Sequence, residues 1–197
     1  MSTPPPPGGY QPGFSDAVQR ALAKWPNVPA CYGFLALDRR GRWRVDGGVI
    51  THPGAVAFLN SHYASDGSGR WYVQNGPQTA YVDLDLAPWI LSVAPGGVLS
   101  THTGVQVDAF GALFVTDAGD VLVETPLGLA AIADRDLALF AGGLRTPDGS
   151  EALDMLAGLG TDAEAILATA DGAPHAVSRV GEAALLARYA IERRPRA

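Results

Sequence analysis

The stretch from Asp66 to Trp89 constrains the chain most, because two turns and two strands are spelled out within it. Asp66-Gly-Ser-Gly69 is a turn, and Arg70-Trp-Tyr-Val73 reads as a strand. Asn75-Gly76-Pro77 is a second turn, and residues 79–86 alternate into a second strand. Gly and Asn accept the turn dihedrals that other residues resist, and alternation with period two is the mark of a pleated, half-buried strand. A chain built on such a hairpin is not all-helical.

The flanking segments extend this pattern. Residues 32–37 and 42–45 pair across the turn Asp38-Arg-Arg-Gly41. Ser15 caps a short helix whose apolar face is Val18, Leu22 and Trp25, and Pro26 stops it. Thr51, with Pro53 in the first turn, opens a second helix over residues 55–63. Residues 89–93 read as a buried strand. Residues 105–109, 112–115, 121–124, 129–132 and 136–140 then read as a strand meander. Helices are expected over residues 151–159, from a cap at Thr161-Asp162, and over residues 181–193, with a strand or connector at 176–180 between the last two. The sum is an α+β fold of antiparallel β-hairpin units, with short helices packed on one face and C-terminal helices.

The expected organisation is a disordered Pro/Gly-rich tail over residues 1–13 and a single globular domain over 14–197. Within the domain, two hairpin lobes at 32–93 and 94–145 precede a helical segment at 146–197. The 47% hydrophobic and 17% charged content fits a folded chain. A net charge of −6 argues against a nucleic-acid partner, which requires clustered Lys and Arg. The basic end, Arg188 to Arg196, is read as cations opposing a helix dipole. With one cysteine, Cys31, no internal disulfide forms and a reducing compartment fits. No signal-peptide pattern opens the chain, and no apolar run reaches membrane-spanning length. The expectation is cytoplasmic, with no membrane contact.

Two segments look alike. Gly47-Gly-Val-Ile-Thr-His-Pro-Gly54 resembles Gly96-Gly-Val-Leu-Ser-Thr-His-Thr-Gly104, and His102 lies 50 residues after His52. Val123 likewise lies 50 residues after Val73, and Asp136 lies 51 after Asp85. Either the hairpin unit is duplicated or turn residues coincide, since Gly and Asp recur in every hairpin.

Gly41-Arg-Trp43, Gly48-Val-Ile50, Gly69-Arg-Trp-Tyr72, Val82, Asp85-Leu-Ala-Pro88 and Phe114-Val-Thr-Asp-Ala-Gly-Asp120 together resemble a bacterial family, domain of unknown function 1285, or a sister of it. The likeness covers residues 32–140. It implies an α+β fold with repeated motifs and a role in signalling.

Three groups of residues could carry chemistry. His52, His62 and His102 could ligate a metal or move protons, although no ligand spacing such as His-x-His or Cys-x-x-Cys is present. Asp83 and Asp85, like Asp134 and Asp136, are two apart, so on a strand they share a face. They could grip a cation or be a plain solvent face. Arg70, Trp71, Tyr72 and Asn75 could line a groove for a planar ligand or peptide, while core packing is the simpler use of the tryptophans. Adjacent residues on a strand face opposite ways, so one of Trp71 and Tyr72 is expected inside and the other exposed. Phosphate loops, the dinucleotide fingerprint and the Gly-x-Ser-x-Gly elbow are missing.

The leading reading is a non-enzymatic module without a cofactor that binds a small molecule or a protein, with a regulatory or signalling role. The alternative is a metal-dependent hydrolase using His52, His62 and His102. A third reading is a structural partner whose strand edges pair with another chain, a second copy included.

Overall fold

The structure, a computed structural model, describes residues 10–160, 164–169 and 173–197. The fold is α+β, in two compact units. The first holds residues 1–88 and 188–197, and the second holds 89–187. The proline run and the expected cap at Thr161-Asp162 lie outside the described residues.

The first unit contains α1 (Asp16–Lys24), β1 (Cys31–Leu37), β2 (Trp43–Val45), β3 (Gly48–Val49), α2 (Pro53–Ser61), β4 (Tyr63–Ser65), β5 (Trp71–Asn75) and β6 (Gln78–Leu84). Two three-stranded meanders, β1–β2–β3 and β4–β5–β6, are joined through α2. Their sheet order is β3-β2-β1-β6-β5-β4, and the seam between β1 and β6 is parallel. The expectation of antiparallel pairing alone is therefore corrected at the seam. A parallel partner needs a long connection, and the chain supplies one in β2, β3, α2, β4 and β5.

Period-two alternation sorts the sheet. Leu35, Leu37, Trp43, Tyr63, Val73 and Val82 fall on one face and are buried. Trp43 donates its indole N–H to Asn60 of α2 at 2.7 Å and meets the Tyr63 ring edge-on at 5.3 Å, which ties the helix to this face. The other face carries Arg44, Tyr72, Tyr81 and Asp83. Tyr10, of the expected tail, lies against the unit and accepts from the Ser65 N–H at 2.8 Å, and Phe14, just past that tail, stacks on His62.

The chain's last residues also belong to this unit. The expected helix over 181–193 is the shorter α5 (Glu182–Arg188). Beyond it Ala190 adopts φ +50, Glu192 donates its N–H to Gly69 O, and Arg193 O accepts from Leu84 N–H. Gly69 is required at its turn: a Cβ there would sit 1.6 Å from Ala190 O.

The second unit opens with β7 (Trp89–Val93), β8 (Leu99–Thr101), β9 (Gln106–Val107), β10 (Leu113–Val115), β11 (Val121–Thr125) and β12 (Gly128–Ile132). β12 runs parallel to β7, and the order β9-β8-β7-β12-β11-β10 repeats that of the first unit strand for strand. The turns repeat too. Asp38 N–H to Arg42 O and Gly41 N–H to Asp38 O recur 56 residues on, as Ala94 to Val98 and Gly97 to Ala94. Asp66 N–H to Arg70 O recurs 50 residues on, as Thr116 to Asp120. The duplication is therefore structural. The offset is 50 only in the second meander and 56 in the first hairpin, so the sequence match of His52 with His102 is out of register. His52 precedes α2, whereas His102 directly follows β8. Residues 108–112 stand where α2 stands in the first unit.

After β12 the second unit differs from the meander read in the sequence. Residues 136–140 are not a strand. A 3-10 turn, Asp134–Asp136, leads into α3 (Leu137–Gly142). The Asp136 carboxylate accepts from the Val93 N–H at 3.2 Å, fixing the turn at the end of β7. β13 (Leu144–Arg145) and α4 (Leu153–Gly158) follow. Residues 164–169, expected within a helix, are β14 (Glu164–Thr169), which pairs with both β13 and β15 (Pro174–Arg179). Pairing on two sides overrides the helical preference of an alanine-containing segment. β15 lies parallel to β10, extending the sheet to β13-β14-β15-β10-β11-β12-β7-β8-β9. Among the described residues no helix is long and apolar enough to cross a membrane.

Candidate functional site

The aromatic residues read from the hairpin divide by face. Asp66 anchors one group. Its carboxylate accepts from the Ser68 N–H at 2.9 Å, the Arg70 Nε–H at 2.8 Å and the Tyr81 hydroxyl at 3.1 Å. The Arg70 guanidinium lies over the Tyr81 ring at 4.9 Å. Tyr81 stacks on Tyr32 at 4.8 Å and receives the edge of Tyr72. Burial and the neighbouring Asp66 carboxylate push the Tyr81 hydroxyl up to about 12. Burial alone would raise Asp66, but hydrogen bonds from Ser68 and Arg70 outweigh it and hold the carboxyl below its usual range.

Trp71 points the other way, between Tyr63 at 4.9 Å and Tyr10 at 6.3 Å. Trp71 and Tyr72 are 7% and 8% exposed, so both are interior, where one was expected outside. Asn75 is exposed at the far end of β5, before Gly76 at φ +57. The structure thus gathers Arg70 and Tyr72 around Tyr81 and leaves Trp71 and Asn75 apart from them. Tyr32 and Asp66 complete the group. Alternation in β5 and β6 points to Tyr81, but nothing in the sequence places β1 beside β6.

The histidines serve separate places. The His52 Nδ1 accepts from the Ala55 N–H at 3.3 Å and caps α2, the role expected of Thr51. His62 closes α2: its Nδ1 lies 2.9 Å from Phe58 O, its Nε2 3.2 Å from Ser15 Oγ, and its ring stacks on Phe58 at 4.3 Å. His102, in the second unit, is half-buried beside Trp89, and its Nδ1 accepts from the Ile90 N–H at 3.4 Å. Burial pushes its imidazole down to about 3. Among the described residues no three His, Cys, Asp or Glu side chains gather to hold a metal ion.

The acidic exit and the basic terminus, read separately in the sequence, are partners. Asp83 pairs with Arg196 at 3.0 Å and Arg194 at 3.6 Å, and Asp85 pairs with Arg194 and Arg44. Arg188 lies in the last turn of α5, as the dipole reading has it, but Arg193 to Arg196 lie along β6, which corrects that reading for them.

The second unit holds a half-open cavity of about 670 Å³. Its apolar floor is Val93, Leu99 and Val107 from β7, β8 and β9, and Leu144 from β13 lines it as well. These strands are opposite ends of the nine-stranded sheet, so the sheet curls until both ends border one space. Phe110 and α3 wall it, Gly96-Gly97 and Leu139 form the rim, and Asp108 is the one charged lining residue. Phe110 rests on Phe140 at 5.6 Å and stacks on His175 at 4.2 Å. The sequence carries no signal for this cavity, because its walls are brought together only by sheet closure.

The fold and its sites define a class: a duplicated six-strand α+β unit whose second copy is enlarged by a hairpin and holds a half-open apolar cavity. The chain belongs to the family described as "Protein of unknown function (DUF2946)", whose model matches residues 14–196. No curated protein matches it. Among solved structures it is similar to a DUF1285 family protein from Silicibacter pomeroyi DSS-3, with 20% identity, 66% of this chain and 82% of that chain covered, and a TM-score of 0.46. It is also similar to a DUF1285 family protein from Shewanella baltica OS155, with 16% identity, 54% and 89% covered, and a TM-score of 0.39. The sequence resemblance was to DUF1285 or a sister family, and both solved chains carry that family name.

Proposed function

We propose that the chain is a non-enzymatic binding module that takes a small apolar molecule into the cavity of the second unit. One observation carries this reading: a space of about 670 Å³, floored by buried aliphatic side chains. That size and lining suit small-molecule sites, which are concave, mostly apolar and furnished with few polar groups. A cytoplasmic regulatory or signalling role would follow from occupancy, with α3 as the wall that senses it. The test is displacement of a neutral naphthylamine dye, with Ala138→Trp filling the cavity from α3. The substituted chain should keep its circular dichroism and lose dye affinity by at least ~10-fold. Unchanged affinity would remove the cavity as the binding site.

A second surface is supported by Arg70, whose side chain is 33% exposed while its guanidinium covers Tyr81. A planar anion stacked there would be lost on Arg70→Ala and kept in Ala138→Trp.

A further inference from the structure

The duplication shows what once-equivalent positions hold in the first unit where the second has its cavity. Strand register fixes the equivalences. Leu37 pairs with Trp43 as Val93 pairs with Leu99. Ile50 donates its N–H to Trp43 O, and Val107 is the partner of Leu99 in the same way. The cavity floor, Val93, Leu99 and Val107, therefore repeats Leu37, Trp43 and Ile50. In the first unit the Trp43 indole fills this position: it is 1% exposed, meets the Tyr63 ring edge-on and bonds to Asn60 of α2. In the second unit Leu99 replaces the indole. Leu113 replaces Tyr63, each being the partner of an equivalent valine, Val123 and Val73. Residues 108–112 pass without a helix. Two aromatic rings and a helix have thus given way to two leucines and a short loop. Interiors are close-packed, so lost side-chain volume leaves space unless something else fills it. Here α3, which has no counterpart between β6 and β7, walls that space, and Phe110 and Phe140 add aromatic surface to its lining.

We propose that the cavity's ligand is a flat two-ring aromatic of the indole class, without a negative charge, which takes over Leu99 the place that the Trp43 indole holds in the first unit. The inference rests on the cavity reading above and names its ligand. A ring on this floor has a buried precedent in the same chain, in the same strand register. Aromatic partners in the lining favour a flat ring over a puckered one of equal size, because ring pairs gain beyond the area they bury. Asp108 is the one charged lining residue, and it repels a carboxylate. The space of about 670 Å³ leaves room for a substituent on the ring.

The experiment uses the full chain, neutral naphthylamine dye as reporter, and indole, cyclooctanol and indoleacetate as competitors. Cyclooctanol matches indole in size but is puckered. Indole should displace the dye about 5-fold better than cyclooctanol, the gain that aromatic pairing allows. Indoleacetate should compete several-fold more weakly than indole at low salt, where the Asp108 charge is least screened. Leu99→Trp supplies the ring from the chain itself, as Trp43 does, so it should keep its circular dichroism and lose both dye and indole. In the unsubstituted chain, indole should shift the methyl resonances of Leu99 and Val107 by its ring current and leave those of Leu37 in place, a readout that does not depend on how the variant folds. Equal displacement by indole and cyclooctanol, unmoved Leu99 and Val107 methyls, or undiminished indole binding by folded Leu99→Trp would each overturn the ring seat and leave the cavity standing. Equal competition by indoleacetate would overturn the exclusion of anions. Failure of the unsubstituted chain to bind the dye and indole would overturn the cavity reading and the ring seat with it.

Discussion

His102 shows how burial sets the chemistry of one side chain. Half-buried beside Trp89, with its Nε2 shielded from water, its imidazole is pushed down to about 3, so it is neutral at any pH well above that value. In the unfolded chain a histidine protonates near pH ~6.5. Its folded value is depressed, so the unfolded state binds the extra proton between these two values. Stability from this group is complete above about pH 6.5 and drains as pH falls toward about 3. The loss at the acid end is on the order of 3–5 kcal/mol, at ~1.4 kcal/mol per unit. Urea unfolding of His102→Asn between pH 4 and 7 should show a flatter acid limb than the unsubstituted chain. An identical slope would show that another group is responsible. Neither His102's neutrality nor the capping role of His52 was legible in the sequence. Burial and hydrogen-bond partners are properties of the folded neighbourhood, and Thr51 and His52 are equally plausible caps by residue type.

Elements were legible where their signal is local. Turn residues and alternation placed β1, β2, β5, β6 and β11 closely, because each strand carries its own period and punctuation. Residues 136–140 and 164–169 were misread, because strand partners and the bond from the Val93 N–H to the Asp136 carboxylate decide them from far along the chain. The helix α2 is a case between these. Its turn residues announced it, yet none of its residues is fully buried, so its place depends on few ties. The Trp43 N–H to Asn60 bond is the best defined of them. Asn60→Ala leaves a buried indole donor without its acceptor, which costs about 1–3 kcal/mol. Hydrogen exchange in α2 should accelerate in this variant while β10–β12 keep their protection. Unchanged exchange in α2 would mean that its caps alone hold it.

At the scale of the molecule, the final ten residues return to the first unit. Glu192 and Arg193 bond to the turn at Gly69 and to Leu84, and Arg194 and Arg196 reach Asp83 and Asp85. The ion pairs themselves are half-exposed and contribute little, typically ~0–1 kcal/mol each. The backbone bonds and the close approach at Gly69 do more to seat the strap. Removing residues 189–197 should therefore expose β5 and β6 to exchange and lower the stability of the first unit, with β7–β12 retaining their protection. Equal loss in both units, or none in β6, would contradict the seating.

The sequence by itself determined the α+β class and the hairpins, because turn propensity and side-chain alternation act between near neighbours. It left duplication and coincidence of turn residues both open, and its alignment of the first halves was out of register, since Gly and His in loops recur without structural equivalence. Only the tertiary structure decided the parallel seams, the pairing of the acidic exit with the C-terminal arginines, and the apolar pocket bordered by both ends of the nine-stranded sheet. Each of these joins residues far apart in the chain. The reason is physical: a strand's period tells which side chains share a face, but which strand lies beside it, and what the closed sheet then encloses, follow from packing the whole chain at once.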